Sequence, residues 1–315
     1  MSIRQDIALL RKEDLLSIEN VLYEANKDEL IARQIVSVNT NHPPYASEIG
    51  YDWFDREGSA IVLASGGSAK DIPFVGEKGG RETMKVYTIA TGVRFTKAER
   101  MAVQAKAAFG KGPTVQIDTL RVSNARRYVA ESENDIFFIG NAKFGIPGVL
   151  NKSGITAESV ADGAVGTGAA KKRWENKTPK EILKDLLMGK DSVEESGFFK
   201  AKILVLAPTA YNKLLQPYSD QSPMTILSWL TSQGMTFEKI VKSRSLLAAY
   251  NGFKTVDAFL VMDNTPEVIE LAVTEDIILG EPVYDVLGTS EQAVTERVAG
   301  AIIRHPSAIY VGKGI

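Results

Sequence analysis

The sequence predicts an α+β protein in which one lobe is inserted into another, and three observations predict it. Val122, Ala125, Val129, Ser132, Ile136 and Ile139 recur at steps of three and four, one buried face of a long helix that begins near Ile117 and is stopped by Gly140. Residues 86–95 and the stretch after Asp263 read instead as strands, alternating or in short apolar runs between turn signals. Between them, 146–262 combines helix-start signals with the apolar run 202–207, the pattern of a strand covered on both faces.

In chain order, residues 1–45 read as an arm. Ile7, Leu10, Asp14, Ile18, Val21, Leu22 and Ala25 form a helical stripe with one polar interruption. Leu30, Ile31, Ile35 and Val38 continue apolar, and His42-Pro43-Pro44 then forces an extended backbone. So apolar an arm must dock, on its own body or on a neighbour, and removal of residues 1–40 is expected to leave a folded body. From Tyr51 to Arg81 the pattern turns to short β segments, with strands expected at 59–64 and 71–75 around Ser65-Gly66-Gly67-Ser68. A two-stranded excursion is marginal by itself in water, so its apolar residues need a surface to cover them.

The next strand places Tyr87, Ile89, Thr91, Val93 and Phe95 on one face. Thr96-Lys97-Ala98-Glu99 is a capping box opening a helix to about Ala108, with Gly110 and Gly112 as stops. The long helix follows, a strut of roughly 30 Å, and Asn141 to Leu150 form an extended turn beyond Gly140. Residues 154–170, rich in Gly, Ala and Ser, read as a surface loop. Thr178-Pro179-Lys180-Glu181 is a second capping box, starting a helix through Leu187. A strand at 202–207, a helix opened by Ser222-Pro223 through Trp229 to the stop at Gly234, and a strand at 256–262 complete the inserted lobe. Four β segments are expected after it, at 267–274, 282–287, 294–304 and 308–311.

Composition narrows the functions. The 315 residues are 44% apolar and 24% charged, with a formal charge of -2, where a protein built to grip phosphates carries a basic excess or stripe. The nearest candidate, Lys171-Lys172-Arg173 with Trp174 and Lys177, reads as a solvated loop because its Ala and Gly neighbours supply no stacking platform. No apolar run approaches the roughly 18 residues of a membrane span, and Met1-Ser2-Ile3-Arg4-Gln5-Asp6 does not resemble a secretory signal. A soluble protein with no membrane partner is expected. Cysteine is absent, which removes disulfides and thiolate metal sites and fits a reducing cytoplasm.

Catalytic patterns are missing too. His42 and His305 each sit beside a proline, without a metal-ligand partner at i+4. Gly163-Ala164-Val165-Gly166-Thr167-Gly168 suggests a phosphate loop, but Ala169-Ala170 stand where Gly-Lys-Ser/Thr is needed and no strand precedes it. Gly-x-Ser-x-Gly is absent. Glu131, Glu133 and Asp135 follow one another at steps of two on a helix, and residues two apart do not share a face. The sequence therefore predicts no catalytic residue, no cofactor site and no metal site. An enzyme using the Gly163–Gly168 loop is the most distant alternative.

The phrase Glu133-Asn134-Asp135-Ile136-Phe137-Phe138-Ile139-Gly140-Asn141, closing on Gly145-Ile146-Pro147-Gly148-Val149-Leu150, resembles the spine-helix exit of tailed-bacteriophage major capsid proteins and of encapsulins, which share one fold. Element order extends the resemblance over most of the chain. It implies an N-terminal arm at 1–45, an extended β loop at 51–85, a peripheral domain with the long spine helix at 86–145 and 263–315, and an axial domain at 146–262. It also implies a structural protein that assembles with itself, in hexameric and pentameric capsomers, into an icosahedral capsid around a DNA genome that it does not bind strongly. The expected place is the virion, after assembly in the host cytoplasm. Scaffolding, portal or decoration proteins are admitted as further partners, and an encapsulin-type bacterial nanocompartment is the alternative shell.

On that resemblance the subunit interface draws on three segments. Leu10, Ile18 and Leu22 of the arm would lie on a neighbour, as would Ile61, Leu63, Ile72 and Phe74 of the loop. Glu131, Glu133 and Asp135 crowd the last turns of the spine helix, where each costs about 0.3–1 kcal/mol against the macrodipole. At least one is expected to meet a basic group of an adjacent subunit, with Lys70, Lys78 and Arg81 as candidates. A solvated acidic face is the other reading.

Overall fold

The computed structural model describes residues 30–62, 72–109, 117–219, 222–232, 237–253 and 256–315. Leu10, Ile18, Leu22, Leu63 and Lys70 therefore lie outside the described residues, as does the turn at Ser65–Ser68.

The described chain opens with a single helical turn, α1 (Ala32–Ile35), and a short strand, β1 (Ser37–Asn39). Strands β2 (Glu48–Glu57) and β3 (Gly76–Lys85) then make a long hairpin, paired rung for rung from Glu48↔Lys85 to Glu57↔Gly76. A two-stranded excursion was expected, but with its strands nearer the tip: 58–62 and 72–75 carry no regular structure. β3 is polar and glycine-rich, with little β propensity, and β2 mixes Ile, Tyr, Trp and Phe with charged residues, so cross-strand pairing sets where the two strands run.

β4 (Tyr87–Phe95) follows, its expected face buried or half-buried at every second residue. Next come α2 (Lys97–Phe109) and the 22-residue α3 (Ile117–Phe138). Thr96 caps α2 as expected: its amide donates to Glu99 Oε2 at 3.0 Å and its Oγ1 accepts from the Glu99 amide at 3.3 Å. The buried side of α3 differs from its apolar stripe. Ala125 and Val129 are buried and Ser132 is exposed, while Glu133, Asn134, Phe137 and Phe138 turn into the protein. The stripe broadens toward its C-terminal end, where Asn134 accepts the Ile31 and Ala32 amides beside α1 and Phe137 and Phe138 enter the core.

Two short strands, β5 (Gly140–Asn141) and β6 (Ile146–Pro147), form the exit turn of α3. β7 (Thr156–Ser159) lies in the stretch expected to be loop. It is a half-exposed edge strand of mixed polarity, and such a strand gives no period to read. α4 (Pro179–Glu194) carries the expected capping box on Thr178 and Glu181, but runs almost two turns beyond Leu187. Then come β8 (Ile203–Leu206), α5 (Pro208–Leu214), β9 (Pro217–Ser219), β10 (Ser222–Thr225), α6 (Ile226–Ser232), β11 (Lys239–Lys242) and β12 (Ala258–Met262). Ser222-Pro223 thus sits in a strand rather than opening a helix. Thr225 is the cap of α6, its Oγ1 accepting from the Ser228 amide at 3.1 Å. The chain closes with β13 (Ile269–Leu279), β14 (Val283–Tyr284), β15 (Ser290–Ile303) and β16 (Ile309–Lys313).

Among the described residues these strands make two five-stranded sheets besides small two-stranded ones. In the first, β15 pairs antiparallel with β13, β14 and β4, and β1 adds to β13 in parallel. The second runs β11-β8-β12-β16-β7. The last strand therefore leaves the 263–303 segment and inserts between β12 and β7, so the expected grouping of 263–315 does not hold for β16. Its Ile309-Tyr310-Val311 run is buried on both faces, which an interior position in a sheet demands.

One core joins both sheets: Leu271, Val273 and Val298 of the first and Leu204, Leu260 and Val311 of the second share it with Phe137, Phe138, Ile31 and Ile35. Residues 31–39 are thus part of the body, not of a detachable arm.

Candidate assembly surfaces

The exit of α3 is built around two glycines. Gly140 has φ +74, and a Cβ there would lie 2.2 Å from the Ile146 carbonyl oxygen. A Cβ on Gly148 would lie 2.3 Å from the Ile139 carbonyl carbon. This close approach brings the next residues onto the open end of the helix. The Val149 and Leu150 amides donate to the Phe137 and Phe138 carbonyls, each at 2.9 Å, and Asn151 Nδ2 donates to the Ile139 carbonyl at 2.6 Å. Three carbonyls that a helix end leaves without partners are thereby satisfied.

Of the three acidic residues before that exit, the structure separates all three. Glu131 pairs with Arg127 one turn earlier, at 2.8 Å. Asp135 is exposed. Glu133, expected to reach a neighbouring subunit, is 2% exposed and is held within its own chain by Arg33 of α1. Arg33 Nε donates to Oε1 at 2.8 Å and Nη2 to Oε2 at 2.6 Å. The same guanidinium donates to Asp276 of β13 at 2.9 Å and to Glu296 of β15 at 2.7 Å. Asn134 completes the contact, its Oδ1 accepting the Ile31 and Ala32 amides at 3.1 Å and capping α1 from outside. Arg33, Asn134, Asp276 and Glu296 were not legible as partners, since they meet across about 100 residues or more of sequence. β15 carries Glu291 and Arg297 as well as Glu296, so no local signal marks Glu296 as the buried charge.

The hairpin leaves the body from a fixed root. Ile49 is buried against Ala272, Ala299 and Ile302, with Tyr51, Met84 and Val86 packed around them. Tyr51 donates to Glu82 across the strands at 2.5 Å, and Lys152 approaches the same carboxylate at 3.2 Å. The Tyr51 hydroxyl and then Lys152 hold Glu82 below the usual carboxylate range, whereas burial raises the Tyr51 phenol. Farther out, Trp53 lies over Gly80, where a Cβ would sit 2.8 Å from the indole. Arg81, a candidate for an intersubunit pair, faces Asp52 on the opposite strand at 2.6 Å and depresses its carboxyl. Lys78 stands opposite Asp55 in the ladder and is exposed.

Toward the tip the apolar residues are bare. Ile61 and Ile72 are about half exposed, while Phe74 is 91% and Val62 101% exposed. Val283, Tyr284, Val286 and Leu287 make a second exposed apolar patch, around β14 and the turn after it. An unsupported hairpin with apolar side chains in water calls for a covering surface.

The remaining candidates are structural. Gly163 and Ala164 fold back on α4: the Ala164 amide donates to Glu181 Oε1 at 2.9 Å, so a side-chain carboxylate already takes that donor. Trp174 and Lys177, in the basic stretch, are buried on Asp185, at 2.9 and 2.5 Å. His305 packs on the Phe199 ring, with centroids 5.2 Å apart. Among the described residues no group of three or more His, Cys, Asp or Glu is placed to hold a metal, and no helix is long and apolar enough to cross a membrane.

The sequence model described as major capsid protein matches residues 59–315. The chain belongs to the major capsid protein family. This capsid protein resembles the capsid of Myoviridae phage XM1 at 13% identity, over 98% of this chain and 99% of that one, with a TM-score of 0.77. The capsid of an empty GTA particle matches at 14% identity over 98% and 97% of the two chains, TM-score 0.62. A virus-like particle from Pyrococcus furiosus matches at 16% over 89% and 90%, TM-score 0.57. At these identities the likeness is one of fold, and it is the tailed-phage capsid fold expected from the sequence. No curated protein sequence matches the chain. Membership makes it a shell-forming structural protein of a phage.

Proposed function

We propose that this capsid protein builds the icosahedral head of a tailed bacteriophage, through hexameric and pentameric capsomers enclosing a DNA genome, and that it does so without catalysis. The observation that carries this reading is the hairpin anchored at Ile49 and Tyr51 with Val62 and Phe74 bare at its far end. Such a loop is stable when it lies across an adjacent subunit, and a closed shell supplies one to every copy. In this reading β1, β4, β13 and β15 with α3 form the peripheral domain. The second sheet, β16 included, forms the axial domain, with residues 160–170 toward the capsomer axis. The arm before residue 30 reaches a neighbour.

Near-neutral charge fits a container rather than a DNA-gripping surface. Free subunits should bind DNA weakly, with a shallow salt slope because few phosphates are neutralised. Assembly in the host cytoplasm, with scaffolding, portal or decoration proteins as further partners, belongs to the same proposal. Negative-stain electron microscopy of the purified protein, with assay of its nucleic acid, tests it. Closed shells holding nucleic acid are expected. Shells holding an enzyme would transfer the reading to encapsulins, and small oligomers that turn over nucleotide would overturn it.

A further inference from the structure

The turn after β14 is built to hold apolar side chains out of the protein. Asp285 Oδ1 accepts the Leu287 and Thr289 amides at 2.9 and 2.8 Å. The Asp285 amide donates to the Thr289 carbonyl and the Gly288 amide to the Asp285 carbonyl, both at 2.9 Å. Arg100 of α2 donates to the Gly288 carbonyl and lies over the Tyr284 ring, 5.2 Å from its centre. These bonds fix the turn in a shape that leaves Val286 103% and Leu287 78% exposed, with Val283 and Tyr284 bare beside them. Side chains held in place before contact lose little entropy on docking.

The other concentration of bare apolar side chains is the hairpin tip, with Val62 and Phe74. Each patch is on the order of 500 Å², the size at which an exposed apolar patch on a soluble chain marks a contact. Laid face to face they remove roughly 1,000 Å² from water, the threshold of a specific interface. Both are bare in the same chain, so the tip does not rest on its own turn. They sit at opposite ends of β15: the hairpin root packs on Ala299 and Ile302, while β14 pairs at Ser290 and Glu291. That is about 30 Å of strand, and the ladder from Ile49 to Glu57 with the residues beyond it is about as long.

We propose that the hairpin tip of one copy docks on the β14 turn of the next, with Val62 and Phe74 against Tyr284, Val286 and Leu287. Two different surfaces of one chain are then joined, a heterologous contact that repeats head to tail and closes into a ring where the rotation allows. Each copy gives one tip and receives one, so a closed ring leaves neither patch bare. Tip on tip, or turn on turn, stops at a pair. The inference rests on the reading that an adjacent copy covers the tip, and adds the surface that receives it.

The chain has no cysteine, so introduced thiols report without background. Ser59→Cys and Glu281→Cys flank the two patches at exposed positions and remove no apolar contact. In assembled protein a short bismaleimide should link the double variant into covalent multimers, and a mixture of the two single variants into dimers. Each single variant alone should stay monomeric. Dimers from either one alone, or nothing but monomers from the double variant, would overturn the proposal. Hydroxyl-radical labelling of the wild-type chain guards against variants that do not fold. Phe74, Tyr284 and Leu287 should lose labelling together, several-fold, on assembly. If closed shells form and Tyr284 and Leu287 label as before, the docking is refuted while the shell reading stands. Protection of the turn without cross-links to the tip gives it to another occupant and refutes the docking as well. Tip-to-turn multimers in the absence of closed shells support the docking and count against the shell.

Discussion

The backbones of Gly140 and Gly148 touch: a Cβ on Gly148 would stand 2.4 Å from the Gly140 nitrogen, and one on Gly140 2.5 Å from the Gly148 nitrogen. That contact lets the chain after α3 double back and cap the helix it has just left. Gly140→Ala adds a backbone clash to a left-handed φ of +74. Gly145, at φ +70, has nothing within 4 Å of its missing Cβ. Gly145→Ala should therefore cost only the conformational term, about 1–2 kcal/mol. Gly140→Ala should cost more by about another 1–3 kcal/mol of overpacking. Urea midpoints of the two variants compare them, and equal losses would mean that the close approach is not what demands glycine.

Lys177 and Asp185 form a buried pair, their side chains 1% and 3% exposed. Burial raises the Asp185 carboxyl while the Lys177 ammonium and Trp174 oppose the shift. Lys177→Met should destabilise by about 3–5 kcal/mol at neutral pH, because it leaves a buried carboxylate alone. Without the ammonium the carboxyl rises further, so folding takes up a proton that the unfolded chain has released. Stability of this variant is then lost as pH rises from about 4, and its deficit should narrow on acidification. A deficit independent of pH between 5 and 8 would show that lost packing, not charge, is responsible.

Local grammar was legible and long-range partnership was not. Thr96-Glu99 and Thr178-Glu181 announce their helices, the 87–95 alternation its strand, and Gly140 its stop, because each signal lies within a few residues. The order of such elements, with the wording from Glu133 to Leu150, was enough for the fold. Strands β2, β3 and β7 were misplaced because they are held by register with partners, not by composition. Glu133 was assigned to an interface for the same reason. Its helical neighbours predict a cost at the helix end, but the guanidinium that offsets it comes from residue 33. Burial turned that local violation into a packing device inside the subunit.

Glu133 and Asp135 should accordingly part company. Glu133→Lys sets a second cation against Arg33 where exposure is 2%. It should lower subunit stability by about 3–5 kcal/mol. Asp135→Lys, at an exposed position where even an ion pair is worth at most about 1 kcal/mol, should cost far less than Glu133→Lys. Thermal unfolding of the unassembled chains separates them, and a Glu133→Lys subunit as stable as wild type would contradict the intramolecular pairing.

Truncation should show where the arm ends. Removing residues 1–29 leaves Ile31, Ile35 and the Arg33 contacts in place, so the body should fold with wild-type midpoint. Removing 1–40 also deletes two core side chains that are each 1% exposed. Loss of each such Ile costs about 2–5 kcal/mol, enough with the lost Arg33 pairs to unfold a marginal domain. Equal midpoints for the two truncations would return 31–39 to the arm.

The hairpin tip separates assembly from folding most cleanly. Val62 and Phe74 are 101% and 91% exposed, so each makes almost no contact that the isolated subunit could lose. Val62→Ser and Phe74→Ser should leave subunit stability within about 0.5 kcal/mol. If a neighbouring copy covers them, each substitution forfeits about 1.5–3 kcal/mol per subunit on assembly, multiplied over every copy in a shell. The yield of closed particles should then collapse while circular dichroism and the urea midpoint stay unchanged. Asp52→Asn serves as the control: it breaks an exposed cross-strand pair on the same hairpin, away from the apolar tip. Normal particles from Phe74→Ser, together with impaired ones from Asp52→Asn, would move the subunit contact from the apolar tip to the charged flank of the loop.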